Sequence, residues 1–323
     1  MTKRYLVQRF SADLVEPAAQ LLADRHRRQR QACPALDVRF EDPAKCVPLI
    51  RERLEQDGAV GAFAHSRGHP AGYVLFTPRP DSMWGPNAWA EDAGNAGDGE
   101  AIREAYAAVA GDLVERGVRG HWAMVPSSDA DLNDGWFTMS FGMQQAYAFR
   151  EPVGADFQPP ARQGLVIRRP EAADIPALAQ LDMVLPAHVT AAPVFSKLSP
   201  HTVEESAAEL EEDFNNAKYS FWVAEHDGRV ISTMVGLSVH ESSSWGPLMK
   251  PASAGLLGYA ATFPDGRGLG AGRALTEAFM AWARDEGYEW LVTDWRSTNL
   301  EANRTWRAMG FRPHFNRLFR AIP

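Results

Sequence analysis

The sequence predicts an α/β (α+β) chain built from two tandem copies of one unit. Three observations lead there. The chain has 323 residues, more than one average domain needs. It also repeats itself. Glu115-Arg116-Gly117 recurs as Asp285-Glu286-Gly287, and the same offset pairs Ser127-Ser128-Asp129 with Ser297-Thr298-Asn299, Trp136 with Trp306, Met139 with Met309 and Phe141 with Phe311. A shorter offset pairs Phe63-Ala64-His65 and Gly68 with Val223-Ala224-Glu225 and Gly228, and Gln20-Leu21 with Gln180-Leu181. Finally, both halves run through strand-like and helix-like apolar patterns in one order. The predicted division is 1–151, a linker over 152–164 carrying Pro159 and Pro160, and 165–323.

Each copy opens on a strand, 5–9 or 165–168, followed by a helical region. In the second copy that region starts near Pro170-Glu171 and runs through Leu178 and Leu181. A hairpin follows, turning at Arg67-Gly68-His69-Pro70 and at His226-Asp227-Gly228. Then come a long strand, a loop, an amphipathic helix, a strand, a short helix and a last strand. Leu275, Phe279 and Trp282 recur at helical spacing and form a core face, which Gly287 closes. In the first copy Trp122, Trp136, Phe137 and Phe141 keep the apolar skeleton.

Composition narrows the function. Hydrophobic content of 45% and ten Trp supply a core, and charged residues at 23% suit a globular chain. A net charge of −8 argues against a nucleic-acid partner. The basic run Arg25-His26-Arg27-Arg28-Gln29-Arg30 reads as the solvated face and end of a helix. Cys33 and Cys46, the only cysteines, make neither a disulfide framework nor a zinc site, so a cytoplasmic location and no metal are expected. Neither a signal peptide nor a membrane span is legible.

The most specific segment is Arg267-Gly268-Leu269-Gly270-Ala271-Gly272, between the extended run 256–263 and a helix. Glycines there let backbone amides converge at a helix N-terminus, and Arg267 and Arg273 add positive charge, so the loop suits a pyrophosphate. A Walker A loop is excluded because no Gly-Lys-Ser/Thr follows. A dinucleotide fingerprint remains open through Gly266, Gly268, Ala271 and Asp294, against which Pro264-Asp265 interrupts the approach and a helix follows Asp294.

The segment resembles the acetyl-CoA loop of the GNAT acetyltransferase superfamily, Gln/Arg-x-x-Gly-x-Gly/Ala, which Arg267, Gly270 and Gly272 match in full. The family's later pattern also recurs as Asn299, Ala302, Trp306, Gly310 and Phe311, with Trp306 where a Tyr is usual. The resemblance implies two tandem domains, each with a mixed, mostly antiparallel central sheet flanked by helices. It implies that acetyl-CoA, or another acyl-CoA, enters between two splayed strands. Ala261, Thr262 and Phe263 would then pair with the pantetheine arm, Arg267, Gly268, Leu269, Gly270, Ala271, Gly272 and Arg273 would hold the pyrophosphate, and Asn299 and Trp306 would line the arm. The first copy sets Gly97, Asp98, Gly99 and Glu100 opposite Arg267, Gly268, Leu269 and Gly270, and two carboxylates there repel a phosphate. That copy is expected to be structural.

The resemblance also implies direct acyl transfer to an amine of a small molecule, which must lose a proton to attack. The family's usual carboxylate on the strand before the loop is missing from 255–262, and Trp306 replaces its usual acid. Candidate catalytic groups are therefore Asp294, Glu241 and Tyr259, with His188 and His240 as candidate acceptor contacts. An acidic protein suits a cationic acceptor. The alternatives are a catalytically lapsed CoA sensor or scaffold and a transferase fed by a carrier protein. A monomer with its two copies packed as a pseudo-dimer is expected.

Overall fold

A computed structural model describes residues 5–79, 84–198 and 201–323. The first copy contributes β1 (Tyr5–Arg9), α1 (Val15–Ala32), α2 (Pro43–Leu54), β2 (Val60–Ser66), β3 (His69–Arg79), β4 (Asn87–Ala90), β5 (Asn95–Gly97), α3 (Gly99–Glu115), β6 (Gly120–Pro126), α4 (Ala130–Thr138) and β7 (Gly142–Arg150). The second contributes β8 (Leu165–Arg168), α5 (Ile175–Asp182), α6 (Val184–Thr190), α7 (Val203–Asp213), β9 (Tyr219–His226), β10 (Arg229–Ser238), β11 (Ala254–Thr262), α8 (Ala271–Asp285), β12 (Trp290–Arg296), α9 (Leu300–Ala308) and β13 (Arg312–Ala321).

Both hairpins turn as their dipeptides require. Arg67 and Gly68 have φ of 52° and 83°, Asp227 and Gly228 of 51° and 76°, so each two-residue loop has positive φ twice, the geometry that matches strand twist. Capping is equally local. Asp98, Asp129 and Asn299 each accept a bond from an amide three residues on, opening α3, α4 and α9.

The compact units depart from the expected division. The first comprises residues 1–147, 245–252 and 313–323, and the second 148–244 and 253–312. The first unit's strand order is β1-β2-β3-β4-β6-β13-β7, with β5 beside β3. The last strand of the chain therefore belongs to the first unit's sheet, antiparallel to β6 from Phe315↔Pro126 to Ala321↔Gly120. Phe315 and Leu318 are fully buried there. The expected linker packs on the second unit, where Arg284 Nη1 donates to the Phe157 carbonyl at 2.6 Å and Arg162 pairs with Glu277 at 2.5 Å.

The second unit's order is β12-β11-β10-β9-β8, antiparallel except for the parallel β11–β12 pair. Leu275 and Phe279 of α8 are fully buried, while Leu178, Leu181, Val223 and Val230 form a second apolar cluster. In the first unit Trp136, Trp122 and Phe141 are core as expected, but Phe137 is 45% exposed. The basic run is not a solvated face either. Arg25, His26 and Gln29 are buried on the inner side of α1, and only part of the run meets water.

Candidate functional site

The site begins with an irregularity in β11. Tyr259 faces Val235 and Leu257 faces Gly236, so Gly258 is an extra residue that bends the strand. On its other edge β11 pairs with β12 only from Ala254↔Trp290 to Leu257↔Thr293. Thr293 Oγ1 donates to the Leu257 carbonyl at 3.0 Å at the last paired position. Beyond it the strands part, which leaves the β11 edge at 258–262 without a strand partner on that side.

The loop that follows ends in a bare helix N-terminus. Gly268 and Gly270 have φ of 82° and 81°, and Gly270 is the N-cap of α8. No side chain caps α8, and Ala274 N–H bonds back to Gly270 at 3.0 Å, so the amides before it face outward. A Cβ built on Gly268 or Gly272 meets nothing within 4 Å. Open space, orphan amides and the positive end of the helix dipole suit a diphosphate. Arg267 lies 3.6 Å from Glu301, and Arg273 is held at 3.1 Å by Glu277, which Arg162 also grips.

These parts border a cleft of about 580 Å³ that runs past Ala260, Ala261 and Thr262, the glycine loop, His188, Asn299 and Trp306. A cavity of about 240 Å³ continues it between the parted strands, sharing Ala260, Asn299 and Trp306 and reaching Gly258, Tyr259 and Asp294. Those last three residues also border a further cavity of about 440 Å³. Asp182, Glu209, Asp213, Glu241 and Asp294 all line that cavity, so it is strongly acidic. Partial compensation comes from Lys218, 3.0 Å from Glu241.

Several expected residues sit elsewhere. Phe263 is absent from the cleft wall: its amide bonds to Ile231 and its ring joins the Leu178 cluster. Leu269 points to solvent at 43% exposure. His240 is exposed and off the acidic cavity, which Glu241 alone of the two lines. His188 lies on α6 and borders the phosphate-loop cleft. Tyr259 donates its hydroxyl to the Leu181 carbonyl at 2.8 Å, and burial raises its pKa well above the ordinary phenol value, so its proton is committed. Asp294 stands where the cavity between the parted strands meets the acidic cavity. Sequence reasoning missed Asp182, Glu209 and Asp213. The last two stand four apart on α7, a spacing that puts both on one helix face. It also missed Arg304 and Thr305, beside Glu301 on the cleft face of α9.

In the first unit the equivalent places are filled by the protein itself. Asn95 Nδ2 donates to the Met124 carbonyl at 3.0 Å, bridging β5 to β6 where the second unit opens. Buried Arg25 donates to the carbonyls of Asp92 and Asn95. Gly99 N–H, at the start of α3, is taken by the Asp131 carboxylate at 2.7 Å, while Asp98 caps the Ala101 amide at 2.7 Å. Matching helix caps sets Asp98, rather than Glu100, opposite Gly270. The backbones of α3 and α4 approach closely there: a Cβ on Gly135 would lie 2.5 Å from the Gly99 carbonyl oxygen.

A mixed sheet parted beside an uncapped glycine loop defines a GNAT-type fold. Residues 189–311 match the acetyltransferase (GNAT) family model. It is 30% identical over 109 residues to the probable N-acetyltransferase family 8 member 5 of Mus musculus, covering 34% of this chain and 45% of that one. The chain thus spans under half the length of that curated relative. A GCN5-related N-acetyltransferase from Sphaerobacter thermophilus shares the fold with a TM-score of 0.56 and 13% identity, over 99% of this chain and 96% of that one. A tandem GNAT protein from the clavulanic acid biosynthesis pathway shares it with a TM-score of 0.50 and 14% identity, over 98% and 97%. The dinucleotide-binding alternative fails on topology: the sheet is mostly antiparallel, and α9 follows β12 where that fold continues with strands.

Proposed function

We propose that the second unit transfers an acetyl or other short acyl group from acyl-CoA directly to an amine of a small cationic molecule. The observation that carries this reading is that the cavity between the parted strands joins the loop cleft at Ala260, Asn299 and Trp306 and the acidic cavity at Gly258, Tyr259 and Asp294. A pantetheine arm adds to the open edge of β11 as an extra strand would, and the loop amides with Arg267, Arg273 and Arg304 hold the phosphates. An ammonium group drawn into the acidic cavity arrives beside Asp294, the group best placed to take its proton, directly or through water. The first unit is structural, one acyl-CoA binds per chain, and the enzyme works as a cytoplasmic monomer.

A lapsed CoA sensor is the second reading, favoured by the bare β11 and by Trp306. Free-thiol release from acetyl-CoA against an amine panel separates the two. Polyamines and aminoglycoside-like amines are expected to turn over, with Glu209→Gln plus Asp213→Asn raising their KM about tenfold and leaving monoamines little changed. CoA binding without transfer to any amine would favour the sensor. Transfer from an acylated carrier protein in preference to acyl-CoA would sink the free-donor assignment.

A further inference from the structure

We infer that His188 protonates the departing sulfur in the transfer, in place of the tyrosine that Trp306 replaces; this rests on the acyl-transfer reading above. Three placements carry it. His188 borders the donor cleft, beside Asn299 and Trp306, which also line the cavity between the parted strands. Its Nε2 lies 3.3 Å from Asn299 Oδ1. The same Oδ1 accepts the Ala302 N–H at 3.1 Å as the cap of α9, so the amide oxygen, not its nitrogen, faces the imidazole. An amide oxygen only accepts, so Nε2 carries a hydrogen and Nδ1 is the nitrogen that exchanges protons. Among the described residues Nδ1 has no partner.

Other groups near the parted strands are unsuited to this step. The Tyr259 hydroxyl is committed to Leu181, and the Trp306 indole cannot release its proton. The charged groups around the cleft are Arg267, Arg273, Arg304 and Glu301, with Asp294 and Arg296 in the adjoining cavity. Arginines stay protonated, and carboxylates at neutral pH accept rather than donate. Imidazole is the one chemistry among them that can both give and take a proton.

The step balances simply. The amine nitrogen bonds to the thioester carbonyl carbon and gives its proton to the base. The carbon–sulfur bond breaks with its electron pair going to sulfur, and the imidazolium Nδ1–H passes its proton to that sulfur. The ring recovers a proton from water.

His188→Gln tests this, because it keeps a donor toward Asn299 and cannot titrate. Its kcat should fall about a hundredfold, with KM for acetyl-CoA within about threefold. The wild-type rate should decline as pH rises, since the acid acts protonated, and that limb should vanish in the variant. A second measurement needs no acceptor. The sulfhydryl of bound CoA should ionise at lower pH than free CoA in the wild type, and shift back in His188→Gln. Wild-type kcat and pH profile in the variant, or an unchanged ionisation of the bound thiol, would overturn the assignment. Calorimetry that finds no CoA binding by the wild type would instead bring down the acyl-transfer reading itself.

Discussion

Gly270 sets the geometry on which donor binding rests. Its φ of 81° belongs to glycine, and it ends the loop at the first turn of α8. Any other L residue there costs about 1–2 kcal/mol of strain, least for asparagine. Gly270→Glu adds a carboxylate beside the outward amides and should abolish CoA binding in calorimetry. Gly270→Asn, with the strain but no charge, should weaken it only about tenfold, the equivalent of ~1.4 kcal/mol. Stoichiometry should be one per chain. A value of two, or wild-type affinity in Gly270→Glu, would contradict the assignment. The first copy carries the same lesson in reverse, since Asp98 and Asp131 occupy the amides that α8 leaves open.

At the scale of elements, α1 and β6 bury imidazoles in the first unit. His26 donates Nε2–H to the Asp37 carbonyl at 2.8 Å and packs edge-on against Phe40, while Tyr106 meets His121 Nδ1 at 2.7 Å. Burial first, then nearby arginines (Arg25 and Arg30 for His26, Arg320 for His121), lowers both from the ordinary 6.5 to about 4. Between those values the unfolded chain binds protons that the folded one refuses, so stability rises with pH across that window. The contribution is complete above pH 6.5 and lost as pH falls to 4, on the order of 2–3 kcal/mol per imidazole. Urea unfolding at pH 7 and pH 4.5 should show this loss. The pH dependence should shrink in His121→Gln; an unchanged slope there would refute the account.

At the scale of the whole molecule, the first unit is completed by segments from far along the chain. β13 pairs with β6, and Arg317, 5% exposed, donates to Gln144 at 2.7 Å and to the Tyr147 hydroxyl at 3.3 Å. Residues 245–252 do the same from mid-chain: Leu248 N–H donates to Asp92 at 3.0 Å, and the Trp245 ring meets Tyr147 edge-on at 5.1 Å. A fragment of residues 160–323 therefore carries a strand whose partner is missing. Phe315 and Leu318 alone lose burial worth roughly 1.5–3 kcal/mol each. The fragment should be insoluble or inactive on expression. A monomeric fragment with full activity would show that the first unit is dispensable.

What the sequence by itself determined is what neighbouring residues decide. The glycine loop, the Asn299 cap, the two hairpin turns and the helix face of Leu275 and Phe279 all follow from backbone preference or short periodicity. They were legible because the chemistry lies within a few residues. Only the tertiary structure decided which sheet receives β13, because alternating apolar residues suit either sheet and long-range pairing makes the choice. It also gathered Asp182, Asp213 and Asp294 around one cavity from α5, α7 and β12. It buried Arg25 by offering it carbonyls, where charge alone reads as surface, and turned Phe263 inward and Phe137 outward. In each case the deciding partner lies far along the chain, and burial and unsatisfied polar groups select it only when the fold is complete.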